Sequence, residues 1–591
     1  MVLIASATLT ALLGFYQGWR GGLGGGESRV EGALIVDMTL SEVEKKTPKF
    51  LFISVQKTMD TIGVKCLHYK LIANNYKSSI LFVPALNLEV DPLDELGKFV
   101  EDLAPDIIGF SVMTIDYNPA VALSKYIKEL FPEIPIIWGG HHPTTVPETC
   151  VDYADYILMG EADEAILEVA RSLEKNQSLE NTPGFYFRKN GELIKNDLAP
   201  VDDIDPKVTH QNIPEDCYIF ANDKINLLDD ALHNEFDRFA GRVYNILTSR
   251  GCPLSCTFCC NSYLKEINNT GKIRRRSVES FVTEIEVAIQ KTPDIAYINF
   301  LDDFFIIGSN KAYWKAFNTE YKKRINLPFF TKPIPRFVTE ENISNLHKAG
   351  LTWVGLGLQA SDRINKEEFD RPSYSSDFLN AARICADKKI ACYYDLIVDN
   401  PLEIKQDKVE CLRVLRDAPK PCVLSIYSLT YFPGTKLYDR VHEGGMIDKA
   451  IKSATEKDHL FYNKEIYNYL TRLAAYLPPK MTGKLIDMYE QDRESSLEFR
   501  IRFQVLCMIT TTFMEPLNYF LSIKRSQRGG FIKTLKVLPI FLKEGFRRYL
   551  TQFQLGFIEK KLTRVTPWKK KHQQALWGDH RINAPHAPLE G

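Results

Sequence analysis

Short apolar runs alternate with amphipathic stretches through the first third of the sequence. The apolar runs have the length and the unbroken apolar character of buried parallel strands. They occupy residues 49–55, 79–83, 106–111, 134–140 and 156–159. Stretches with helical spacing separate them at residues 66–75, 93–103, 120–131 and 164–173. Because the connections are short, this order predicts an α/β domain with a doubly wound, flavodoxin-like (Rossmann-type) sheet.

The same alternation resumes after a polar interval. Strand-like runs fall at residues 244–248, 296–300, 329–331, 352–359, 393–398 and 423–427. Helical spacing between them is clearest at residues 278–291 and 340–349, and residues 466–523 also favour helix. The pattern therefore predicts a second α/β domain, followed by a mostly α-helical C-terminal domain.

Length and composition set the number of domains and the compartment. The 591 residues predict two or three domains, and 45% hydrophobic with 25% charged residues is typical of a globular protein. The 12 cysteines lie mostly singly in apolar runs. This pattern indicates buried thiols in a reducing, cytoplasmic compartment rather than a disulfide framework.

The expected boundaries follow from these patterns. Residues 1–47 are predicted to be a disordered extension, with a weak membrane anchor at residues 2–19 as the alternative. The remaining segments are the first α/β domain at 48–175, a linker at 176–239 that includes a small hairpin, the second α/β domain at 240–450, a basic helical domain at 451–578 and a disordered tail at 579–591.

The charge is unevenly distributed although the formal net charge is only −1. Residues 523–572 contain 14 Lys and Arg against two acidic residues, and residues 531–555 interleave basic with apolar side chains. Such a segment is typical of a lid over an active site, of contact with a membrane surface or an amphiphilic substrate, or of an anionic partner. No nucleic-acid-binding fold is recognisable, so no nucleic-acid partner is expected.

The strongest chemical signal is the stretch TSRGCPLSCTFCCN at residues 248–261. It holds Cys252, Cys256 and Cys259 in a C-x3-C-x2-C spacing. Three thiolates on one short loop suit three irons of a 4Fe–4S cluster, whose fourth iron stays open to a ligand. A structural zinc site is the alternative, but it needs a fourth protein ligand, and no second CxxC or HxxxH lies nearby.

A short strand, a Cys loop of this spacing and Phe258 before the last Cys resemble the radical SAM superfamily. The resemblance covers residues 240–450 and implies a partial (β/α)6 barrel that binds a 4Fe–4S cluster and S-adenosylmethionine. The run Gly357-Leu358-Gln359-Ala360-Ser361 is similar to the family's Gly-x-Glu-Ser strand end, with glutamine in place of glutamate. The S-adenosylmethionine contacts implied on this basis are Phe258, Asp302, Gln359, Ser361 and Asp395.

The first α/β domain carries glycines and hydroxyl residues at the carboxyl ends of its strands, where parallel sheets bind ligands. Next to a radical SAM loop, the runs SVMT and GGHHPT followed by Gly160-Glu161 resemble the cobalamin-binding domain of cobalamin-dependent radical SAM enzymes. The cobalamin contacts implied by this resemblance are Thr58, Asp60, Ser111, Thr114, Gly139, Gly140, His142, Gly160 and Glu161.

The cobalt ligand is expected to differ from that of His-ligated cobalamin domains. Those domains carry an Asp-x-His-x-x-Gly loop after the first strand, whereas residues 59–63 here read MDTIG. The resemblance therefore implies base-off cobalamin without a His lower ligand. His141 and His142 are not expected to ligate cobalt, because adjacent side chains point in different directions.

Cobalamin domain, radical SAM barrel and variable C-terminal domain together resemble the class B radical SAM methylases. The resemblance implies a C-methyltransferase in which one S-adenosylmethionine methylates cobalamin and another yields a 5′-deoxyadenosyl radical at the cluster. An oxidative cyclase or rearrangement enzyme is the first alternative, and a cobalamin-binding regulator without turnover is the second. Expected partners are a small-molecule or amphiphilic substrate and a reductant such as flavodoxin or ferredoxin. A further alternative is contact with a membrane surface through the C-terminal basic helices, which would make the location peripheral to the membrane.

Overall fold

A computed structural model of the protein describes residues 47–84, 93–201, 215–237, 241–268, 273–305, 310–443 and 465–525, with single positions at 204, 239, 462 and 463. These residues belong to one compact unit that begins at Thr47. Most of the predicted extension, the tail and the basic segment at residues 531–555 lie outside the described residues.

The first half of the described chain forms a nine-stranded mixed sheet with helices on both faces. In chain order its elements are β1 Lys49–Ser54, α1 Ile62–Ala73, β2 Lys77–Phe82, α2 Asp94–Leu103, β3 Ile107–Ser111, α3 Tyr117–Leu130, β4 Ile136–Gly139, α4 His141–Thr145, β5 Tyr156–Leu158, α5 Ala165–Glu174, β6 Phe185–Lys189, β7 Glu192–Lys195, β8 Cys217–Ala221, β9 Lys224–Leu227 and α6 Asp230–Phe236. The strand order is β7-β6-β5-β4-β3-β1-β2-β8-β9.

The five predicted strands form the parallel centre of this sheet. β1 pairs in parallel with both β2 and β3, and β3 continues through β4 to β5. Their side chains enter two apolar clusters, one on each face of the sheet. Burial on both faces is the reason that these strands read as unbroken apolar runs rather than as alternating patterns.

The segment predicted as a linker is more ordered than expected. β6 pairs antiparallel with β5, and β8 pairs in parallel with β2. Strands from within this segment therefore widen the sheet at both of its edges. β7 and β9 complete antiparallel hairpins with β6 and β8. These edge strands are short and expose much of one face, which is the reason that their sequence lacks a strong strand signal.

The second half forms six parallel strands with helices outside them, as the resemblance implied. Its elements are β10 Val243–Ile246, β11 Ser249–Arg250, α7 Cys260–Ile267, β12 Arg274–Arg275, α8 Val278–Lys291, β13 Tyr297–Phe300, α9 Lys311–Glu320, β14 Phe329–Thr331, α10 Glu340–Ala349, β15 Leu351–Gln359, α11 Asp362–Glu367, α12 Ser375–Asp387, β16 Ala391–Val398, α13 Lys405–Asp417, β17 Val423–Ser428 and α14 Lys436–Glu443. The six-stranded order is β10-β13-β14-β15-β16-β17, and β11 pairs antiparallel with β12.

Capping residues fix where the outer helices begin. The hydroxyls of Ser277, Thr339 and Ser361 accept a backbone N–H from the first turn of α8, α10 and α11. α8 and α10 then pack their apolar faces on the strands in one large core, whereas Ile364 of α11 belongs to a smaller apolar cluster. Among the described residues β10 and β17 are not paired with each other, so the barrel is open on one side.

Four further helices follow the barrel. They are α15 Ile466–Tyr476, α16 Pro479–Glu490, α17 Leu497–Ile509 and α18 Glu515–Arg525. α15 and α16 pack on α13, and Tyr519 and Ile523 of α18 close the barrel where its strands begin, against Val243 and Trp353. This confirms the predicted order of cobalamin-type domain, partial barrel and helical C-terminal region. None of the helices in the described ranges is both long and apolar enough to cross a membrane.

Glu403, in the loop after β16, is a half-buried residue whose two carboxyl oxygens are buried. Neither of its carboxyl oxygens has a hydrogen-bond partner among the described residues, and burial raises its pKa to about 8. In the folded state the carboxyl therefore keeps its proton up to about pH 8, whereas in the unfolded chain it loses the proton near its ordinary pKa. The free energy of unfolding therefore falls as the pH rises between these two pKa values.

We expect Glu403→Gln, which removes this titration, to flatten the pH dependence of unfolding. Between about pH 5 and about pH 8 the melting temperature of the wild type should fall relative to that of the variant, since one pKa unit is worth about 1.4 kcal/mol. Scanning fluorimetry across that range measures the difference. The exposed Glu341→Gln variant should follow the wild type, and parallel curves for Glu403→Gln and wild type would contradict the assignment.

Candidate active site

The Cys loop lies between β11 and α7 at the carboxyl end of β10. Gly251 turns the chain out of β11 with a φ of 95°, and Cys259 precedes the first turn of α7. The backbone N–H of Thr257 donates to the Phe369 carbonyl at 3.0 Å, and its hydroxyl donates to the Glu368 carbonyl at 2.5 Å. The middle of the loop is therefore attached to the segment that follows β15.

The three thiols act on one another electrostatically. Burial, with smaller contributions from the charges of Cys256 and Cys259, raises the pKa of Cys252 to about 11. A hydrogen bond from Cys260 lowers the pKa of Cys259 to about 7, which favours its thiolate. Three interacting thiols fit the donor set of a 4Fe–4S cluster, although no three His, Cys, Asp or Glu side chains of the described residues form a ready metal site.

Arg371 is the charged group beside this loop. Its side chain is buried and hydrogen-bonds to Cys256, where its charge opposes the rise in pKa that burial causes. Its Nη2 also lies 3.4 Å from the Gly357 carbonyl oxygen. A cation at this position stabilises negative charge on the sulfurs.

A large cavity joins the first sheet to the Cys loop. Its volume is about 380 Å³, within the ~300–1,000 Å³ range of a typical small-molecule pocket, and it is open to solvent on one side. One wall is the carboxyl edge of the first sheet and the facing side of α1 and α5. The other wall comes from the barrel and is formed by Leu247, Arg250, Gly251, Asn261, Leu264, Lys265, Asn268 and Asp303.

Glycines shape the wall on the first sheet. Gly139 ends β4 facing the cavity, and a Cβ added there would meet only the Leu158 carbonyl oxygen, at 3.7 Å. Gly140 has a φ of 104°, and a Cβ there would lie 2.9 Å from the Val112 carbonyl oxygen. The backbone can therefore approach a ligand closely at this edge. An apolar cleft with this glycine edge fits a large planar group such as a corrin.

The structure sorts the predicted cobalamin contacts into two sets. Five of them line the cavity, namely Ser111, Gly139, Gly140, Gly160 and Glu161. Thr58, Asp60, Thr114 and His142 do not line it, and contact of all nine residues with cobalamin stays a prediction.

Two of the four residues that do not line the cavity have partners elsewhere. The Asp60 carboxylate accepts a hydrogen bond of 2.6 Å from the Asn245 amide in β10. His142 is buried against Tyr117, with ring centroids 4.8 Å apart, and its Nε2 lies 3.3 Å from the Thr149 hydroxyl. The neighbouring His141 faces the cavity instead, near Asp303. The absence of a His lower ligand stays a prediction.

None of the predicted S-adenosylmethionine contacts lines this cavity. Asp302 is buried and accepts hydrogen bonds from the Thr248 amide and hydroxyl at 3.2 and 2.8 Å and from the Ser249 hydroxyl. Ser361 caps α11 and donates to Asp407 at 2.7 Å. The internal partners of Asp302 and Ser361 favour structural roles for both side chains.

The other three predicted contacts lie in the barrel domain, one of them within the Cys loop. Phe258 packs on Phe369, with ring centroids 4.7 Å apart. Gln359 has a φ of 64°, and its side chain folds over Gly357 towards Arg371. Asp395 on β16 lies 3.4 Å from Lys332 Nζ. Contact of these side chains with S-adenosylmethionine stays a prediction.

Asp303 was not among the predicted cofactor contacts, although its neighbour Asp302 was. It lines the cavity, accepts hydrogen bonds from the Asn261 side chain and the Gly251 backbone, and lies near His141. Burial raises the pKa of its carboxyl. The sequence marks this position only by the pair Asp302-Asp303 after a predicted strand. It does not show which of the two side chains faces the cavity.

Comparison with known proteins adds to this geometry. Residues 48–170 match the B12 binding domain family, and residues 246–414 match the Radical SAM superfamily. The first match covers the glycine-edged wall of the cavity, and the second covers the Cys loop. This chain is a cobalamin-dependent radical SAM enzyme.

Its cofactors are a 4Fe–4S cluster, S-adenosylmethionine and cobalamin, as predicted. The enzyme is 25% identical over 226 residues to an uncharacterized methyltransferase of Pyrococcus horikoshii, a match that covers 37% of this chain but only 44% of that relative. It is 22% identical to the anaerobic magnesium-protoporphyrin IX monomethyl ester cyclase of Synechocystis sp. over 77% of this chain and 89% of the relative. These relatives favour an enzyme over a regulator without turnover.

A solved structure shares the fold of the enzyme. The radical S-adenosylmethionine methyltransferase TsrM of Kitasatospora setae, solved with tryptophan and a SAM analogue, superposes with a TM-score of 0.54 at 18% identity. The alignment covers 67% of this chain and 76% of that chain. The likeness extends the shared architecture beyond the two matched families.

An ion-pair cluster joins the two cofactor domains of the enzyme at the cavity. Arg250, two residues before Cys252, donates to Asp163 through Nη1 at 2.7 Å and Nη2 at 3.1 Å. Its Nη1 also lies 3.0 Å from Glu161, which pairs in addition with Arg274. Burial alone would raise the pKa of the Asp163 carboxyl, but Arg250 holds it below its usual value. The cluster therefore stabilises the docked domains at neutral pH.

We expect Asp163→Asn to loosen this docking. A partly buried bidentate pair is worth about 2 kcal/mol, between an exposed pair and a fully buried one, so the melting temperature should fall and limited proteolysis of the chain should quicken. The matched control is Glu168→Gln, which breaks the exposed Glu168–Arg171 pair and should change neither. Equal behaviour of the two variants would show that the cluster does not hold the domains.

Proposed function

We propose that the enzyme is a C-methyltransferase that uses S-adenosylmethionine both as methyl donor and as radical source. The observation that carries the proposal is the single cavity between the glycine edge of the first sheet and the Cys loop. A group held at Gly139 and Gly140 and a group held at the Cys loop would face each other there. Transfer of a group between two cofactors and a substrate needs this proximity.

The residues that would hold the cofactors belong to the two walls. Cys252, Cys256 and Cys259 would bind the cluster, and the glycine edge with the α1–α5 cleft would bind cobalamin. When bound, the cluster with S-adenosylmethionine supplies a carbon-centred radical and cobalamin carries the methyl group. No general base is required of the protein for this chemistry.

The protein itself positions these groups and excludes water. Asp302 fixes the start of the Cys loop through Thr248 and Ser249, and Asp303 fixes its turn through Gly251 and Asn261. Apolar side chains dominate the deep part of the cavity, among them Phe50, Phe52, Ile107, Ile137 and Leu158. A dry, preorganised site protects a reactive radical from side reactions.

A small-molecule substrate would enter through the open side of the barrel. The polar residues that face this interior include Asn245, Asn299, Lys332 and Asp395. Asn299 donates to Asn245 at 2.7 Å, so the two amides are already oriented. We propose an external reductant of the flavodoxin or ferredoxin kind as the source of the electron that the cluster requires.

Oxidative cyclisation or rearrangement is the second candidate. It is favoured by the length of the match to the magnesium-protoporphyrin IX monomethyl ester cyclase, which extends over 89% of that relative. The methyltransferase of Pyrococcus horikoshii is matched over less than half its length. Both reactions would use the same cavity, and the products distinguish them.

Anaerobic reconstitution with iron, sulfide and hydroxocobalamin, followed by S-adenosylmethionine and a low-potential reductant, tests the proposal. Mass spectrometry should detect S-adenosylhomocysteine together with methylated cobalamin. Deoxyadenosine with bound but unmethylated cobalamin would replace the methyltransferase with the cyclase or rearrangement enzyme. Absence of all of these from protein that holds its cluster and cobalamin would refute both candidates.

A further inference from the structure

An exposed apolar stripe runs along α17 and α18. Eight of the seventeen exposed large apolar side chains among the described residues fall within residues 497–521. The most exposed are Leu497 at 73%, Phe513 at 66% and Met508 at 63%. We call the set Leu497, Ile501, Val505, Met508, Phe513, Leu517, Phe520 and Leu521 the apolar stripe. Exposed apolar residues scattered singly need no explanation, but a contiguous set marks an interaction surface.

The stripe lies on one face of a nearly continuous helix. α17 and α18 are joined by a π-helical turn at Thr510–Met514, so residues 497–525 extend for about 44 Å. The exposed apolar positions recur every three or four residues up to Met508. The π turn adds one residue, which brings Phe513 rather than Thr512 onto the same face. The stripe therefore continues unbroken across the junction.

The opposite face of this helix is packed on the protein. Phe499, Asn518, Tyr519 and Ile523 are buried, and Tyr519 and Ile523 close the amino end of the barrel. The Cys loop lies at the other end of the barrel, where the strands terminate. A partner on the stripe would therefore leave the mouth of the cavity accessible.

The charges around the stripe select the kind of partner. Of the charged side chains on α17 and α18, Arg500, Arg502 and Lys524 are exposed, whereas Glu515 is buried with Arg472 and Glu498 pairs with Arg502. The chain after Arg525 continues this bias, with 12 Lys and Arg against two acidic residues in 526–572. A second copy of the stripe, or the chain's own basic segment, would bring like charges together. An anionic lipid surface complements both the apolar face and the basic margin.

We infer that the apolar stripe docks the enzyme on anionic membranes as an interfacial helix. The helix lies in the plane of the headgroups, with its apolar side chains among the upper acyl chains and its basic side chains at the phosphates. The basic segment that follows adds electrostatic attraction. This inference does not depend on the reaction that the enzyme catalyses.

Co-sedimentation of the full-length protein with vesicles tests the inference. Vesicles of phosphatidylglycerol and phosphatidylcholine should pellet the wild type at low salt, whereas pure phosphatidylcholine vesicles should pellet far less. Phe513→Asp should weaken binding about tenfold or more, because burying one Phe side chain is worth more than a tenfold change in partition. The matched control Leu227→Asp changes a 63% exposed side chain on β9 and should bind as the wild type does.

A tryptophan reporter separates the alternatives. Subtracting the wild-type tryptophan emission spectrum from that of Phe513→Trp gives the emission of the new indole. This emission should be that of an exposed indole and should shift to the blue only when anionic vesicles are added. A blue-shifted emission without vesicles that is independent of protein concentration would assign the stripe to the chain's own basic segment and overturn the inference. A shift that grows with protein concentration would assign it to a second copy and overturn it equally. Equal pelleting of Phe513→Asp and wild type would also refute it.

Discussion

Replacement of Cys256 by alanine is expected to abolish the iron–sulfur cluster and every cofactor-dependent activity of the enzyme. Cys256 is the most buried of the three thiols, and its carbonyl accepts hydrogen bonds from the Cys259 amide at 3.1 Å and the Ser262 hydroxyl at 2.6 Å. Its backbone therefore shapes the loop and its sulfur completes the donor set. Only the sulfur is lost in the variant, so the loop should keep its conformation.

We expect both the iron content of the cluster and the cleavage of S-adenosylmethionine to fall by more than about a hundredfold. Loss of a residue that only hydrogen-bonds to a metal ligand costs ~10–100-fold, and loss of the ligand itself should cost more. Iron and sulfide analysis, electron paramagnetic resonance of the reduced protein and deoxyadenosine yield measure it. Cys260→Ala, at the neighbouring thiol outside the C-x3-C-x2-C spacing, is the control and should retain its cluster. A cluster that survives in Cys256→Ala but not in Cys260→Ala would reassign this ligand from Cys256 to Cys260.

The sequence predicted the buried strands and the Cys loop well because their signals are local. A parallel strand such as β1 must be apolar on both faces, and a cluster loop must keep its cysteines at fixed spacing. The edge strands β8 and β9 escaped prediction because one face is open to solvent and tolerates polar residues, whereas β6 and β7 form the small hairpin that was predicted. Their place in the sheet is fixed by pairing with β5 and β2 rather than by their own pattern.

The candidate site was harder to predict at the level of single side chains. At a strand end, a shift of one residue turns a side chain to the opposite face, so Asp302 faces the Cys loop backbone while Asp303 faces the cavity. Likewise, His141 faces the cavity, whereas the next residue, His142, packs on Tyr117. The Arg250–Asp163 pair joins residues 87 positions apart, and no periodicity in a single sequence marks such a partner.

Gly139→Val offers the sharpest test of where cobalamin binds. Gly139 lines the cavity, and its added Cβ would meet the Leu158 carbonyl oxygen at 3.7 Å, an ordinary contact. The fold should accept the side chain, whose methyl groups would occupy space that the corrin needs. Gly140→Val would not serve, because a φ of 104° and a contact of 2.9 Å with the Val112 carbonyl oxygen strain the backbone itself.

We expect Gly139→Val to bind cobalamin at least about tenfold more weakly, since overpacking a well-formed site costs ~1–3 kcal/mol. Cluster content and melting temperature should stay at wild-type values, because the Cys loop belongs to the opposite wall. Gly483→Val in α16, where an added Cβ meets no atom within 4 Å, should load cobalamin normally. Visible absorbance of the reconstituted protein and equilibrium dialysis report the loading. Wild-type loading in Gly139→Val would place cobalamin elsewhere, and it would remove the shared cavity as the physical basis for a reaction between the two cofactors.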